Sequence, residues 1–293
     1  MTGRLPDFLY VGADKAGSTW LYRIVADHPE IYVPIAKDLY YFDRHYDRGL
    51  AWYAEYFSPG QSARTCGEFS HDYLYSATAL ERIRCALPSV KLLISLRNPL
   101  ARSVSNYLFL WRHGMVTEAV AAAIEEYPEI IDRSLYHEHV RRCIGMFGAP
   151  NVLVIPIEQM WMAPEQWLPV LWQFLGVEAD VVPAQARKRI LAARAPRWPL
   201  LSRIVKTSAL GLRTIGLESM VGRIKRSDWI HRILYRDMDT RVKENVTRQI
   251  QSQWGTVLEE EAAWLEKFLT QYMRSPLYNH IRSGNASGEH IVQ

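Results

Sequence analysis

Cysteine is scarce in this chain: three among 293 residues, Cys66, Cys85 and Cys143. An odd, widely spaced set with no C-x-x-C pair excludes a disulfide framework and a thiolate zinc site. All three are expected to be reduced and mostly buried. Long apolar runs are also missing, since no stretch approaches the roughly 18 residues that a spanning helix requires. The opening residues, Met1 to Asp7, lack the ordered basic, apolar and small-residue segments of a secretory leader, and a cytoplasmic location is expected. Internal repeats and linker-like tracts are absent. A single domain over 1–293 is therefore expected, with a core over 7–176, a basic helical covering region over 177–282 and a frayed polar tail over 283–293.

With 48% hydrophobic and 12% aromatic residues the chain has ample material for a core. Its net charge of +4 hides an asymmetry. Between Arg187 and Arg236 stand 13 Lys or Arg against two acids, Glu218 and Asp228, about +11 locally, while the rest of the chain carries 22 basic and 29 acidic residues. A basic segment on an acidic body suits an anionic partner or a solvated surface. The amphipathic stretch Met220 to Arg236 could rest peripherally on an anionic membrane. Its aromatics, Trp198, Trp229 and Tyr235, lack the interleaving of a nucleic-acid platform, so nucleic acid is not expected as a partner.

Apolar runs alternate with helical periodicity. Phe8 to Val11 reads as a buried strand closed by Gly12, and from Ser18 the spacing turns helical through Trp20, Leu21, Ile24 and Val25. Lys91 to Arg97 and Val152 to Glu158 are further strand-like runs, and a short strand spans Ile31 to Val33. Helices are expected after Asn98-Pro99, over Ser134 to Phe147, over Pro164 to Leu175, at Leu200 to Leu212 and Met220 to Leu234, and over Thr240 to Gln253 and Thr256 to Tyr272. The pattern predicts an α/β fold: a P-loop-like central parallel sheet with helices on both faces and a helical, basic C-terminal third.

The first strand-to-helix turn, Gly12-Ala-Asp-Lys15-Ala16-Gly17-Ser18-Thr19, has the spacing of a phosphate-cradling loop, whose amides and helix dipole converge on an anion. What it lacks is the Lys that follows the second glycine in nucleotide triphosphatases. The strand beginning at Lys91 runs into Arg97 rather than a magnesium-holding Asp. Both absences count against ATP hydrolysis. Arg97 and, eight residues on, Ser105 could share a second anion. No metal-binding residue is indicated.

These residues resemble the sulfotransferases that use 3′-phosphoadenylyl sulfate (PAPS). Lys15 through Trp20 is similar to their 5′-phosphosulfate loop, and Arg97 through Ser105 to their 3′-phosphate motif. Asp38-Leu-Tyr-Tyr-Phe-Asp43, followed by Gly49-Leu-Ala-Trp52-Tyr53, resembles the Glu-x-His-Phe-Phe and Gly-x-x-Trp-Tyr segments of heparan sulfate O-sulfotransferases. The resemblance covers about Phe8 to Gly176 and extends to bacterial sulfotransferase domains.

It implies transfer of a sulfonate from PAPS to a hydroxyl, leaving adenosine 3′,5′-bisphosphate. Lys15 would neutralise the leaving phosphate, while Ala16, Gly17, Ser18, Thr19 and Trp20 complete the loop. Arg97 and Ser105 would hold the 3′-phosphate. Tyr136 matches a tyrosine near adenine, with core packing the alternative, and Arg194 or Arg197 could close over the 3′-phosphate. For the base, Asp38 has the position of the catalytic Glu, whereas His71 offers an imidazole, the side-chain type suited to proton transfer near neutral pH. Phe69 replaces an active-site lysine of the glycan enzymes. Aromatics cluster where an acceptor would enter: Tyr40, Tyr41, Phe42, Trp52, Tyr53, Tyr56 and Phe57. The acceptor could be a glycan, a glycolipid or a small metabolite. Competing readings are a P-loop small-molecule kinase and a non-enzymatic module for anionic ligands.

Overall fold

The computed structural model describes residues 3–116, 119–186, 194–196, 235–237, 240–276 and 278–279. Five short strands form one parallel sheet: β1 (Phe8–Gly12), β2 (Ile31–Tyr32), β3 (Thr65–Phe69), β4 (Lys91–Leu96) and β5 (Val152–Pro156). Their order is β2-β3-β1-β4-β5. The near-continuous burial of β1, β3, β4 and β5 is what a parallel sheet covered by helices demands. Strand β3, Thr-Cys-Gly-Glu-Phe, has no legible strand pattern because it carries a glycine and an acid. Gly67 is required there: it pairs with Phe8, and a Cβ on it would lie 2.3 Å from the Phe8 ring.

Around the sheet run α1 (Ser18–Ala26), α2 (Tyr41–Arg44), α3 (Gly49–Glu55), α4 (Ala77–Ala86), α5 (Pro99–Arg112), α6 (Val120–Glu126), α7 (Glu129–Asp132), α8 (Tyr136–Phe147), α9 (Ile157–Met162) and α10 (Pro164–Leu175). Asn98 caps α5 through its side chain, with Pro99 in the first turn. A two-stranded antiparallel ladder, β6 (Arg194–Pro196) with β7 (Tyr235–Asp237), brackets the basic segment. Arg197 and the helices expected at Leu200 to Leu212 and Met220 to Leu234 lie outside the described residues.

The two C-terminal helices expected from sequence are one, α11 (Thr240–Arg274). Gly255 does not break it, because both halves are buried along one stripe. Val246, Ile250 and Leu258 pack on α5 to α7, while Leu265, Leu269 and Tyr272 join the main core. That burial outweighs the ~1 kcal/mol helix penalty of one glycine. The Tyr272 hydroxyl donates to Val152 O (3.1 Å) and accepts from Val154 N (3.3 Å), tying α11 to the edge strand β5. Cys66 and Cys143 are buried, Cys85 is exposed, and all three are free thiols.

Helix α11 also fixes the start of α8. Glu261, buried, accepts from Tyr136 N (2.8 Å) and His137 N (2.9 Å) and meets His137 Nδ1 at 2.9 Å. A carboxylate from a distant helix thus does the work of an N-cap. Glu261→Ala is expected to lower the unfolding free energy by about 2 kcal/mol, since it orphans two helix amides. Urea denaturation checks this, and an unchanged midpoint would contradict the cap.

Candidate active site

The loop between β1 and α1 is held from several sides by residues that do not face its hollow. Ser95 of β4 donates through Oγ to Ala16 O (2.7 Å), and its carbonyl accepts from Ala13 N (2.9 Å). The Tyr10 hydroxyl donates to Ala13 O (2.8 Å). Arg97, just past β4, donates to Lys15 O (3.3 Å), with its Nε 3.5 Å from Glu158. Gly17 adopts a left-handed φ of 82°, and a Cβ there would come within 2.6 Å of Ile157 and 3.0 Å of Trp161. Helix α9 therefore packs on the loop only because the residue is glycine.

At the loop's centre Asp14 is almost fully buried and accepts two hydrogen bonds from Arg102 of α5, at 2.7 and 2.8 Å. Burial pushes the Asp14 carboxyl up. The Arg102 and Arg133 guanidiniums outweigh it and hold the group below its usual value. Arg102, with no exposed surface, also donates to Glu129 O (2.9 Å) and Ile130 O (3.0 Å). The network continues outward: Arg133 donates to Asp72 (2.8 Å), which also pairs with Arg44 and lies 3.7 Å from His71 Nε2.

His71 and Asp38, weighed from sequence as rival bases, are partners. His71 Nδ1 lies 2.8 Å from Asp38 Oδ1, and Nε2 lies 3.3 Å from the Tyr40 hydroxyl. Burial pushes the Tyr40 phenol well above its ordinary value, so it stays a donor. In neutral His71 the consistent tautomer carries the proton on Nδ1, facing Asp38. Asp38 and Tyr40 both adopt left-handed backbone (φ 61° and 52°). The strap between β2 and α2 is pinned by Asp38 N to Phe69 O (2.8 Å) and Tyr40 N to Ser70 Oγ (3.1 Å). Ser70 in turn donates to Glu68, a buried carboxyl that also receives the Tyr53 and Tyr73 hydroxyls and that burial pushes up to about 7.

Helix α1 begins at the mouth of this arrangement without a side-chain cap. Ser18 and Thr19, in its first turn, are half-buried, so its first amides and two hydroxyls are placed to receive an anion. Lys15 lays its ammonium over the Phe109 ring of α5, 3.2 Å from the centroid. Burial pushes its pKa down to about 8, with Arg102 and Arg112 adding to the shift and Asp14 opposing it. Ser105 occupies the same half-buried face of α5 as Phe109, one turn earlier.

Other sequence-selected residues point elsewhere. Ala16 and Trp20 have buried side chains, which leaves Ala16 only its backbone for a ligand. Tyr136 is fully buried beside Asp14 and Arg102. Of the aromatics expected to line an acceptor entrance, Tyr41, Phe42, Tyr53 and Phe57 are core residues, with Tyr41 stacked on Tyr53 at 4.5 Å. Tyr40, Trp52 and Tyr56 keep partial exposure. Asp14, Arg102, Phe109 and Lys37 escaped sequence reasoning. For Asp14 and Arg102 a charge inside a glycine loop or a helix was the only signal, Phe109 and Lys37 carried none, and spacing alone does not pair them. Among the described residues no group of His, Cys, Asp or Glu could hold a metal ion, and no helix is long and apolar enough to cross a membrane.

Comparison with known proteins shows the family and the fold. The family described as sulfotransferase domain matches residues 5–194. A sulfotransferase from Alicyclobacillus acidocaldarius superposes with a TM-score of 0.57 at 28% identity, covering 74% of this chain and 96% of that one. Human heparan sulfate glucosamine 3-O-sulfotransferase 6 is 25% identical over 61% of this chain and 54% of its own length. Membrane-associated sulfotransferase kil1 of Dictyostelium discoideum is 33% identical over 36% of this chain and 23% of its own. The chain thus spans about half the length, or less, of these curated relatives. With the family match extending over most of the chain, the protein belongs to the sulfotransferase domain family.

Proposed function

We propose that the chain transfers a sulfonate from PAPS to a hydroxyl group, with a glycan hydroxyl as the favoured acceptor. One observation carries this reading: the uncapped start of α1, with Lys15 beside it, is tied through the Asp14 network to the Asp38 and His71 pair. An anion site and a proton acceptor are thereby fixed relative to each other, as in-line displacement requires. The named activities of the heparan sulfate relatives support a sugar acceptor. The partly exposed rings of Trp52 and Tyr56 near the strap suit a sugar face.

In this mechanism Asp38 takes the acceptor's proton, and His71, held on its other side by Tyr40 and Asp72, orients the carboxylate and shares that proton. The loop amides, Ser18 and Thr19 hold the donor's 5′-phosphate. Lys15 leaves its perch on Phe109 to neutralise charge developing on the leaving phosphate oxygen. Arg97 and Ser105 anchor the 3′-phosphate away from the reacting centre. The residues named require no metal ion, so EDTA is expected to leave turnover unchanged. A screen of labelled PAPS against glycans, glycolipids and phenolic metabolites tests the function itself, and transfer to none of them would count against it.

Anchoring and chemistry separate by mutation. Arg97→Ala is expected to weaken bisphosphate binding about 10- to 100-fold while changing turnover at saturation little, because a hydrogen bond to a charged group contributes about 1.5–3 kcal/mol. Lys15→Ala is expected to cut turnover about 10²- to 10³-fold. Identical profiles for the two would contradict the division of roles. Lys15 is cationic below its pKa of about 8 and neutral above it. The kcat/KM for donor should therefore fall as pH rises through about 8, and Lys15→Arg should move that fall upward.

Asp38→Asn is expected to lose about 10²- to 10⁴-fold in turnover with normal bisphosphate affinity, and His71→Ala to lose less. A dead but cofactor-competent His71→Ala alongside a nearly normal Asp38→Asn would reverse the assignment.

A further inference from the structure

Lys37 belongs to none of the motifs singled out from the sequence, yet it reaches into the anion site. Its Nζ donates to Ser18 Oγ (3.4 Å), at the first residue of α1. The stem is half-buried, the ammonium lies 5.7 Å from the Tyr22 ring, and burial pushes its pKa down. Among the described residues no carboxylate forms an ion pair with it; a hydroxyl and a ring are its contacts. A cation withdrawn from water at a helix N-terminus, where the dipole already repels it, is unfavourable unless an anion arrives. The site is thus built to be completed by negative charge.

Its position defines which charge. Lys37 directly precedes Asp38, whose carboxylate lies within electrostatic reach of both Lys37 and Lys15. Lys15 reaches from the loop to the Phe109 ring of α5, whereas Lys37 approaches from the strap that carries Asp38. An acceptor activated by Asp38 must attack a sulfur that lies between that carboxylate and the 5′-phosphate at the start of α1. Lys37, bonded to Ser18 and within electrostatic reach of Asp38, is an ammonium close to both ends of that path. Phe69, the position at which the glycan enzymes place a lysine, cannot supply one, being buried and stacked on Tyr10 at 5.0 Å.

Building on the sulfonate-transfer reading, we propose that Lys37 is a second catalytic ammonium, contacting the transferring sulfonate while Lys15 serves the leaving phosphate. In the step, the acceptor oxygen forms a bond to sulfur as its proton passes to the Asp38 and His71 pair. The bond between sulfur and the bridging oxygen breaks, and its electron pair stays on the phosphate of adenosine 3′,5′-bisphosphate. Lys37 neutralises the sulfonate oxygens throughout and gives up no proton.

Adenosine 3′,5′-bisphosphate lacks the sulfonate, which makes the test selective. Lys37→Met, which keeps the stem, is expected to weaken bisphosphate binding by no more than about five-fold by calorimetry, the part its ammonium contributes near Ser18. Its turnover with labelled PAPS should fall about 100-fold, and Lys37→Arg should recover at least about ten-fold of that loss. Turnover of Lys37→Met within about three-fold of wild type would overturn the proposal, as would a parallel loss of turnover and bisphosphate affinity. Should Lys37→Met fold poorly, as judged by thermal unfolding, Lys37→Gln decides by the same split. Failure of the wild-type protein to bind the bisphosphate or to transfer sulfonate would instead sink the underlying function.

Discussion

The buried pair between Asp14 and Arg102 is the interaction on which the site depends. A carboxylate at the centre of a phosphate loop should repel the loop's anion, and a guanidinium with no exposed surface should be costly. Each makes the other tolerable. Two hydrogen bonds join them, and the other terminal nitrogen of Arg102 donates to carbonyls of α7, locking α5 and the loop together. Removing either partner of such a pair typically costs about 3–5 kcal/mol, because the survivor is left charged and unpaired. The loop is thereby shaped before any ligand arrives, which lowers the ordering cost of binding.

From that pair, charge alternates outward through Arg133 and Asp72 to His71 and Asp38. The proposed base is thus positioned by the same network that shapes the glycine loop between β1 and α1. Two left-handed residues in the strap hold Asp38 against His71. Such local strain persists because β3, Ser70 and buried Glu68 overdetermine the strap.

Much of the fold was legible in sequence because parallel strands and amphipathic helices announce themselves by period. Helix α10 begins and ends where expected, and the turn between β1 and α1 was readable from its glycines and the helix that follows. Strand β3 was not, since Gly67 and Glu68 serve Phe8 and a hydroxyl cluster rather than a period-two pattern. The join at Gly255 was misread as a break because burial on both sides overrides local propensity. At the site, candidate residues stand out on motifs one by one. Their relations were not: that Asp38 and His71 are partners, that Tyr136 is core, or that Lys37 meets Ser18 are facts of three-dimensional pairing.

The central claim is that this loop receives a 3′-phosphorylated adenosine donor rather than a nucleoside triphosphate. Calorimetry of the wild-type chain with adenosine 3′,5′-bisphosphate, adenosine 5′-monophosphate and ATP, each in EDTA and in magnesium, tests it most directly. The account predicts that the bisphosphate binds at least about ten-fold tighter than the monophosphate, with equal affinity in EDTA and magnesium. Equal affinity for the two adenosine phosphates, or magnesium-dependent ATP binding tighter than either, would contradict it.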